Sequence, residues 1–350
     1  MKKSRKHAAL DSSPPPESSK QRSPQTLFLW GAIALIAAVA IALAVYTFGG
    51  RLWAGDLKLK DIPFDGARAY GYLKQLCDLG PRPSGSEAMT AQQKLLAEHF
   101  EKLGAKVEFQ RFTAPYPLDG PDETMFGHDV PMANLIVRWN PEARERVMIC
   151  GHYDTLPFPL EDPKNKKGRF IGANDNGSGV AILMELGNEL AKDPPKIGVD
   201  FVFLDGEEFL FSYEGKFFLG SEYFARDYAE NPPAFHYRSA VLLDMVGGEE
   251  LNLPQDLVSV SWSDSRPLVD EIWATAARLG VREFVPRSSV EAIRDDHLAL
   301  HDVGKIPSCD LIGMAAYQKY WHTQDDTPEH CSALSLAKVG WVLREWLRKQ

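Results

Sequence analysis

The longest apolar run lies at residues 27–48, LFLWGAIALIAAVAIALAVYTF, and carries no charge. About 20 apolar residues suffice to cross a bilayer as a helix. The run has no polar face, so it does not read as a half-buried helix of a globular core. Before it stand Lys2, Lys3, Arg5, Lys6, Lys20 and Arg22, with three prolines at 14–16. Residues 1–26 read as a disordered tail kept on the cytoplasmic side by its positive charge. A cleaved signal peptide is the alternative. Its apolar part is shorter and ends at a small-residue cleavage site, whereas here bulky Tyr46, Phe48 and Trp53 follow. The expectation is a single-pass membrane anchor with the remainder extracytoplasmic, joined through a linker at 49–63.

From residue 64 to 350 the hydrophobic period alternates between two values. Apolar positions spaced three and four apart predict helices over 67–79, 86–103, 179–190, 220–228, 266–279 and 333–348. Short continuous apolar runs at 133–138, 146–150, 199–204, 240–243 and 309–312 predict buried strands. Gly80-Pro81-Arg82-Pro83-Ser84-Gly85 is a turn rich in helix breakers. The alternation describes one α/β domain, a mixed central sheet flanked by helices. No internal repeat and no further boundary interrupts it.

Composition narrows the chemistry only a little. A net charge of -9 argues against nucleic acid as a partner, since phosphate binding needs a basic surface. The four cysteines, Cys77, Cys150, Cys309 and Cys331, form no CxxC pair, which speaks against a zinc ribbon or a thioredoxin-type motif. One disulfide in an exported domain, or four buried thiols, both remain compatible with the sequence.

The ionisable residues fall just after the apolar runs. Open α/β sheets place ligands at the carboxyl ends of their strands. His152 and Asp154 follow 146–150; Asp205, Glu207 and Glu208 follow 199–204; Asp244 follows 240–243. Asp175 lies in the glycine-rich loop 172–177, and His322 in a loop after 312. Any one of these alone would be a cap or a surface group. A set made only of His, Asp and Glu matches the nitrogen and oxygen donors of zinc, with a position left for water or substrate. In a loop, one member of the Glu207-Glu208 pair can ligate a metal while the other faces substrate as a base.

His152-Tyr153-Asp154, the Asp175 loop, Asp205-Gly206-Glu207-Glu208, Asp244 and Trp321-His322-Thr323 resemble the zinc aminopeptidase superfamily. The glycine–proline turn at 80–85, followed by Ser86, resembles that superfamily's N-terminal signature. Three features resemble its glutaminyl-peptide cyclotransferase branch more closely: the long segment between Glu208 and Gly220, Asp295-Asp296-His297, and Trp321 directly before His322. The resemblance runs from about Phe64 to Trp346. It implies conversion of the N-terminal glutamine of peptides or proteins to pyroglutamate, with release of ammonia. It also implies one zinc held by Asp175, Glu208 and His322, with Glu207 as general acid/base. Asp244 and Asp295 would form a carboxylate hydrogen-bond network with Glu207, and Trp321 would wall the substrate pocket. Tyr213 stands where the animal cyclotransferase pattern has a pocket Trp. A two-zinc aminopeptidase is the alternative; there His152 and Asp244 would hold a second metal bridged by Asp175. A third reading is a binding ectodomain of this fold without a metal. His297 and His301 are expected to stay outside the metal site. Phe217 and Phe218 suit either the pocket mouth or ordinary packing. Residues 164–167 read as a solvated basic loop.

Overall fold

The computed structural model describes residues 56–317 and 319–350. The tail at 1–26, the apolar run at 27–48 and the first part of the linker lie outside the described residues. Among the described residues no helix is long and apolar enough to cross a membrane. The packed part begins ahead of residue 64, because Ile62 is buried and Leu57 and Leu59 pack against the main core.

Six strands form the central sheet: β1 (Lys106–Pro115), β2 (Asp129–Trp139), β3 (Glu145–His152), β4 (Gly198–Leu204), β5 (His236–Asp244) and β8 (Ser308–Ile312). Their order is β1-β2-β4-β3-β5-β8. β1 and β2 run antiparallel, and β2 is antiparallel to β4. The pairs β4–β3, β3–β5 and β5–β8 are parallel. Four strands therefore point the same way, and their carboxyl ends at Leu204, His152, Asp244 and Ile312 share one edge of the sheet. A small parallel pair, β6 (Leu253–Gln255) with β7 (Phe284–Ser288), lies apart from it.

Strand residues alternate between two apolar layers, as a period of two requires. Val147, Ile149, Phe201, Phe203, Val241 and Leu243 face the larger layer. It is built on α1 (Gly66–Asp78), α2 (Glu87–Lys102), α3 (Ser178–Lys192), α6 (Arg266–Leu279) and α8 (Ala333–Leu347). Met148, Cys150, Val202, Leu204, Ala240 and Leu242 face the smaller layer, with Phe224 from α4 (Leu219–Glu230) and Leu300 from α7 (His297–Asp302). A short helix, α5 (Leu257–Ser261), precedes α6. Side chains set several helix starts: Asp65 accepts the Arg68 N–H, and Ser86 accepts the Met89 N–H at 3.0 Å. α6 stops at Gly280, where φ is +76°.

The predicted helices and strands fall within one or two residues of these elements or inside them, apart from the longer β2 and β5. β1 was not predicted. It is an edge strand with a mostly half-exposed pattern and no apolar run. All four cysteines are buried free thiols.

Candidate metal centre

The turn at 80–85 and the Asp175 loop are built against each other. Arg82, 1% exposed, donates through its guanidinium to the carbonyls of Gly80 (2.8 Å), Ile171 (3.0 Å) and Gly172 (3.2 Å). Gly172 has φ +57°, and a Cβ there would lie 2.1 Å from the Asp175 carbonyl oxygen. A cis peptide bond joins Asp175 to Asn176. The carboxylate of Asp326 accepts the N–H groups of Asn174 (2.8 Å) and Asp175 (3.0 Å). Asn176 donates to the Leu243 carbonyl at 2.6 Å and accepts the Gly179 N–H at 3.1 Å, tying the loop to β5 and to the start of α3. These contacts pair backbone N–H and C=O groups of a loop that has little regular structure of its own.

The Glu207-Glu208 loop is set by Asp154, whose two oxygens each accept one N–H, Glu207's and Glu208's, at 3.1 Å. Glu208 is buried. Its Oε1 accepts the Leu156 N–H at 2.7 Å, and its Oε2 lies 3.1 Å from His322 Nε2. The same His322 nitrogen is 3.4 Å from Asp175 Oδ2. His152 Nε2 lies 3.0 Å from Asp175 Oδ1 and 3.5 Å from Asp244 Oδ1. Asp175 thus stands between two imidazoles, one oxygen towards each.

Three of these carboxylate oxygens, Asp175 Oδ2, Glu208 Oε2 and Asp244 Oδ1, are buried without a hydrogen-bond partner. Buried, unpaired carboxylate oxygens are costly, and a divalent cation satisfies them. Donor atoms of His152, Asp175 and Glu208 lie within 4.8 Å of one another, so this triad can hold a metal ion. His322 belongs to the same cluster by its distances to Asp175 and Glu208. The imidazole and carboxylate donor set fits zinc.

The electrostatics carry the same signature. Burial raises Glu208 well above the usual carboxylate range, and Asp175 adds to the rise. Burial and Asp175 also raise Asp244. Asp175 itself is held low despite its burial, by His152 and His322. Burial opposes the charged form of His152, but Asp154, Asp175 and Asp244 together raise it well above its ordinary value. Burial lifts Glu207 strongly; His152 opposes this, and Asp295 and Asp296 reinforce it. Asp295 is raised by burial and then by Asp244 and Asp296. No hydrogen bond links Glu207, Asp244 and Asp295 among the described residues; the three interact as neighbouring like charges.

Above the cluster is a cavity of about 330 Å³ lined by Asp175, Glu207, Asp244, Asp295, Trp321 and His322, with Tyr213, Phe217, Phe218 and Ile293 among its walls. The Trp321 ring stacks on His322 with centroids 3.6 Å apart. Tyr213 lies nearly parallel to Trp321, His322 and Phe217 at 6.0, 5.9 and 6.4 Å. The segment carrying Tyr213 leaves and returns at one place, because Phe218 N–H donates to the Glu207 carbonyl and Leu219 N–H to that of Gly206, both at 2.9 Å.

All the expected site residues meet here: Asp175, Glu207, Glu208, His322, His152, Asp244, Asp295, Trp321 and Tyr213. His297 lies elsewhere, buried between Asp256 (3.4 Å) and Asp310 (4.0 Å). His301 stacks on Trp262 at 3.6 Å. Arg82 and Asp326 were given no role from sequence, and Asp154, counted there with the possible zinc donors, instead holds the Glu207 and Glu208 N–H groups. An Arg inside a glycine–proline turn, and a second Asp after the His322 motif, were the available signals.

An α/β sheet with a buried imidazole–carboxylate cluster at its strand ends, open to a cavity, is the construction of a metal-dependent enzyme. The chain belongs to peptidase family M28, whose sequence pattern matches residues 134–347. It is 24% identical over 257 residues to the Bos taurus glutaminyl-peptide cyclotransferase, covering 63% of this chain and 67% of that one. It spans 40% of another curated relative, from Escherichia coli. The structure is similar to that of Fimbriiglobus ruber glutaminyl cyclase, with TM-score 0.75 and 37% identity over 84% of this chain and 98% of that one. It is also similar to a leucine aminopeptidase precursor from Bacteroides thetaiotaomicron, with TM-score 0.73 and 30% identity over 82% of this chain and 98% of that one.

Proposed function

We propose that the chain is a zinc-dependent glutaminyl-peptide cyclotransferase, converting the N-terminal glutamine of peptides to pyroglutamate and releasing ammonia. The observation that carries this reading is the small cavity in which Glu207 faces the His322 cluster beneath the stacked rings of Tyr213, Phe217 and Trp321. The similarity to glutaminyl cyclases over nearly their whole length supports it.

Asp175, Glu208 and His322 would hold the zinc, with His152 and Asp244 beside them. Zinc, when bound, supplies Lewis acidity towards the side-chain amide carbonyl. Glu207 takes a proton from the substrate α-amine. The amine nitrogen bonds to the amide carbon, the bond from that carbon to the amide nitrogen breaks, and Glu207 returns the proton to the departing ammonia. No water is consumed, which suits a pocket walled by aromatic rings. Burial, reinforced by Asp295 and Asp296 and opposed by His152, holds the Glu207 pKa above the usual carboxylate range, which makes it a stronger base than an exposed glutamate.

One observation favours a second reading. His152 and the unpaired Asp244 Oδ1 lie 3.5 Å apart beside Asp175, where an aminopeptidase would hold a second metal. There Glu207 would activate a water. One paired assay separates the two. The full chain is offered a Gln-initiated peptide and a leucine amide, and its zinc is counted. Ammonia release without cleavage, at one zinc per chain, is expected; leucine release at two zincs would sink the cyclotransferase reading.

The chain is further proposed to be anchored through 27–48, with its N-terminus cytoplasmic and the catalytic domain extracytoplasmic. The uncharged run and the basic residues before it support this. Resistance to alkaline carbonate extraction, with the domain protease-accessible only from the extracytoplasmic side, is expected; release into the soluble fraction would refute it.

A further inference from the structure

A histidine that ligates a metal through Nε2 carries its proton on Nδ1 and needs an acceptor there to fix its tautomer and orientation. His152 Nδ1 lies 3.3 Å from the Asp154 carbonyl oxygen, a main-chain partner from its own strand end. His322 is served differently. Its Nδ1 lies 2.8 Å from the hydroxyl of Tyr213, a side chain 109 positions earlier on the 209–217 segment. The backbone of His322 sits at φ +56°, a region costly for a residue with a side chain. Its carbonyl is tied to the Glu161 N–H at 3.0 Å. Burial, and then the charge of Glu161, raise the Tyr213 hydroxyl well above its ordinary value, so it stays protonated.

We propose that Tyr213 is a positioning residue for the metal. Its oxygen accepts the His322 Nδ1–H, and the His322 Nε2 lone pair is thereby aimed at the space between Asp175 and Glu208. The inference rests on the reading of His322 as a ligand. It gives Tyr213 a task beyond walling the pocket, and it ties the substrate-facing segment to the metal. A tryptophan at this position could not do the same, because an indole N–H only donates.

The test uses the full-length chain as wild type, Tyr213→Phe and His322→Gln. Zinc affinity is measured by competition with a fluorescent chelator, and thermal melting is measured on the metal-free proteins. Phenylalanine keeps the ring stacked against Phe217 and Trp321 and removes only the hydroxyl. Tyr213→Phe is expected to bind zinc about 10–100-fold more weakly, with metal-free melting unchanged. A merely structural wall residue would alter KM and leave zinc affinity alone. Unchanged affinity, or a loss matched by an equal collapse of metal-free melting, overturns the inference while leaving the ligand reading intact. Wild-type affinity in His322→Gln overturns the ligand reading itself, and the inference with it.

Discussion

Glu208 is pinned by the Leu156 N–H through one oxygen and turns the other towards His322, while its neighbour Glu207 lines the cavity. A single loop, fixed by the two oxygens of Asp154, aims them differently. Glu207→Gln keeps the volume and removes the base, so turnover should fall by about 10²–10⁴-fold with zinc content unchanged. Full turnover in that variant would reject Glu207 as the base. The pH dependence follows from the same residue. Glu207 must be ionised to accept a proton, and burial with Asp295 raises its pKa. As pH falls through that raised value the base is neutralised. The acid limb of kcat/KM should therefore lie above the ordinary glutamate value of about 4.3. A limb centred at 4–5 in a kcat/KM–pH profile would contradict the assignment. His152, Glu207, Glu208 and Asp244 were legible because they follow apolar runs, whereas Asp295 entered through the family resemblance alone. Arg82 and Asp326 had no role from sequence and Asp154 counted there as a possible zinc donor; their work is to hold backbone N–H and C=O groups distant in sequence.

The elements divide the molecule into a chemical edge and a structural edge. At the start of β3, Arg146 is fully buried and donates to Asp200 Oδ1 through Nε (3.0 Å) and Nη2. It also donates to the carbonyls of Trp139 and Asn140 at 2.9 Å. Asp200, equally buried, accepts the Tyr237 hydroxyl at 2.5 Å. This network joins β2, β3, β4 and β5 about 20 Å along the strands from His152, at about 3.3 Å per residue. Arg146→Ala leaves the Asp200 charge buried with its main partner gone. It should cost about 3–5 kcal/mol in denaturant unfolding, with kcat of the folded enzyme unchanged. A stable variant, or one with altered kcat at full folding, would refute the division. The sequence made the parallel strands legible because strands buried on both faces read as apolar runs. β1 escaped because an edge strand, half-exposed along its length, has no such run. Its register comes from β2, from Lys106 opposite Arg138 to Pro115 opposite Asp129. The 209–217 segment was legible as an insertion. That it folds back on itself, placing Tyr213 against His322, depends on contacts no local pattern encodes.

At the scale of the whole molecule, the metal site is a stability problem as well as a catalytic one. In the metal-free protein, burial and like charge raise Glu207, Glu208, Asp244 and Asp295 above their unfolded values. The folded state then keeps protons that the unfolded chain releases. Stability from these groups is fully present below the ordinary carboxylate range and is lost as pH rises through their raised values. Asp175 runs the other way: held low by the two histidines, it contributes above its unfolded pKa and fails only in acid. The four raised carboxylates, joined by His152, which is raised as well, outnumber the one lowered group, so the site makes the metal-free protein weaken as pH rises through their raised values. A bound dication needs its ligand Glu208 ionised, so its stabilisation grows over the range where the metal-free protein weakens. Zinc at 100 times its Kd contributes about 2.7 kcal/mol, which is about 4–5 °C in Tm for a domain of this size. Thermal melts at pH 5, 6, 7 and 8, with zinc or with a chelator, should show a gap that widens as pH rises. A gap that stays constant would mean that the raised carboxylate Glu208, just after β4, is not among the groups that hold the metal.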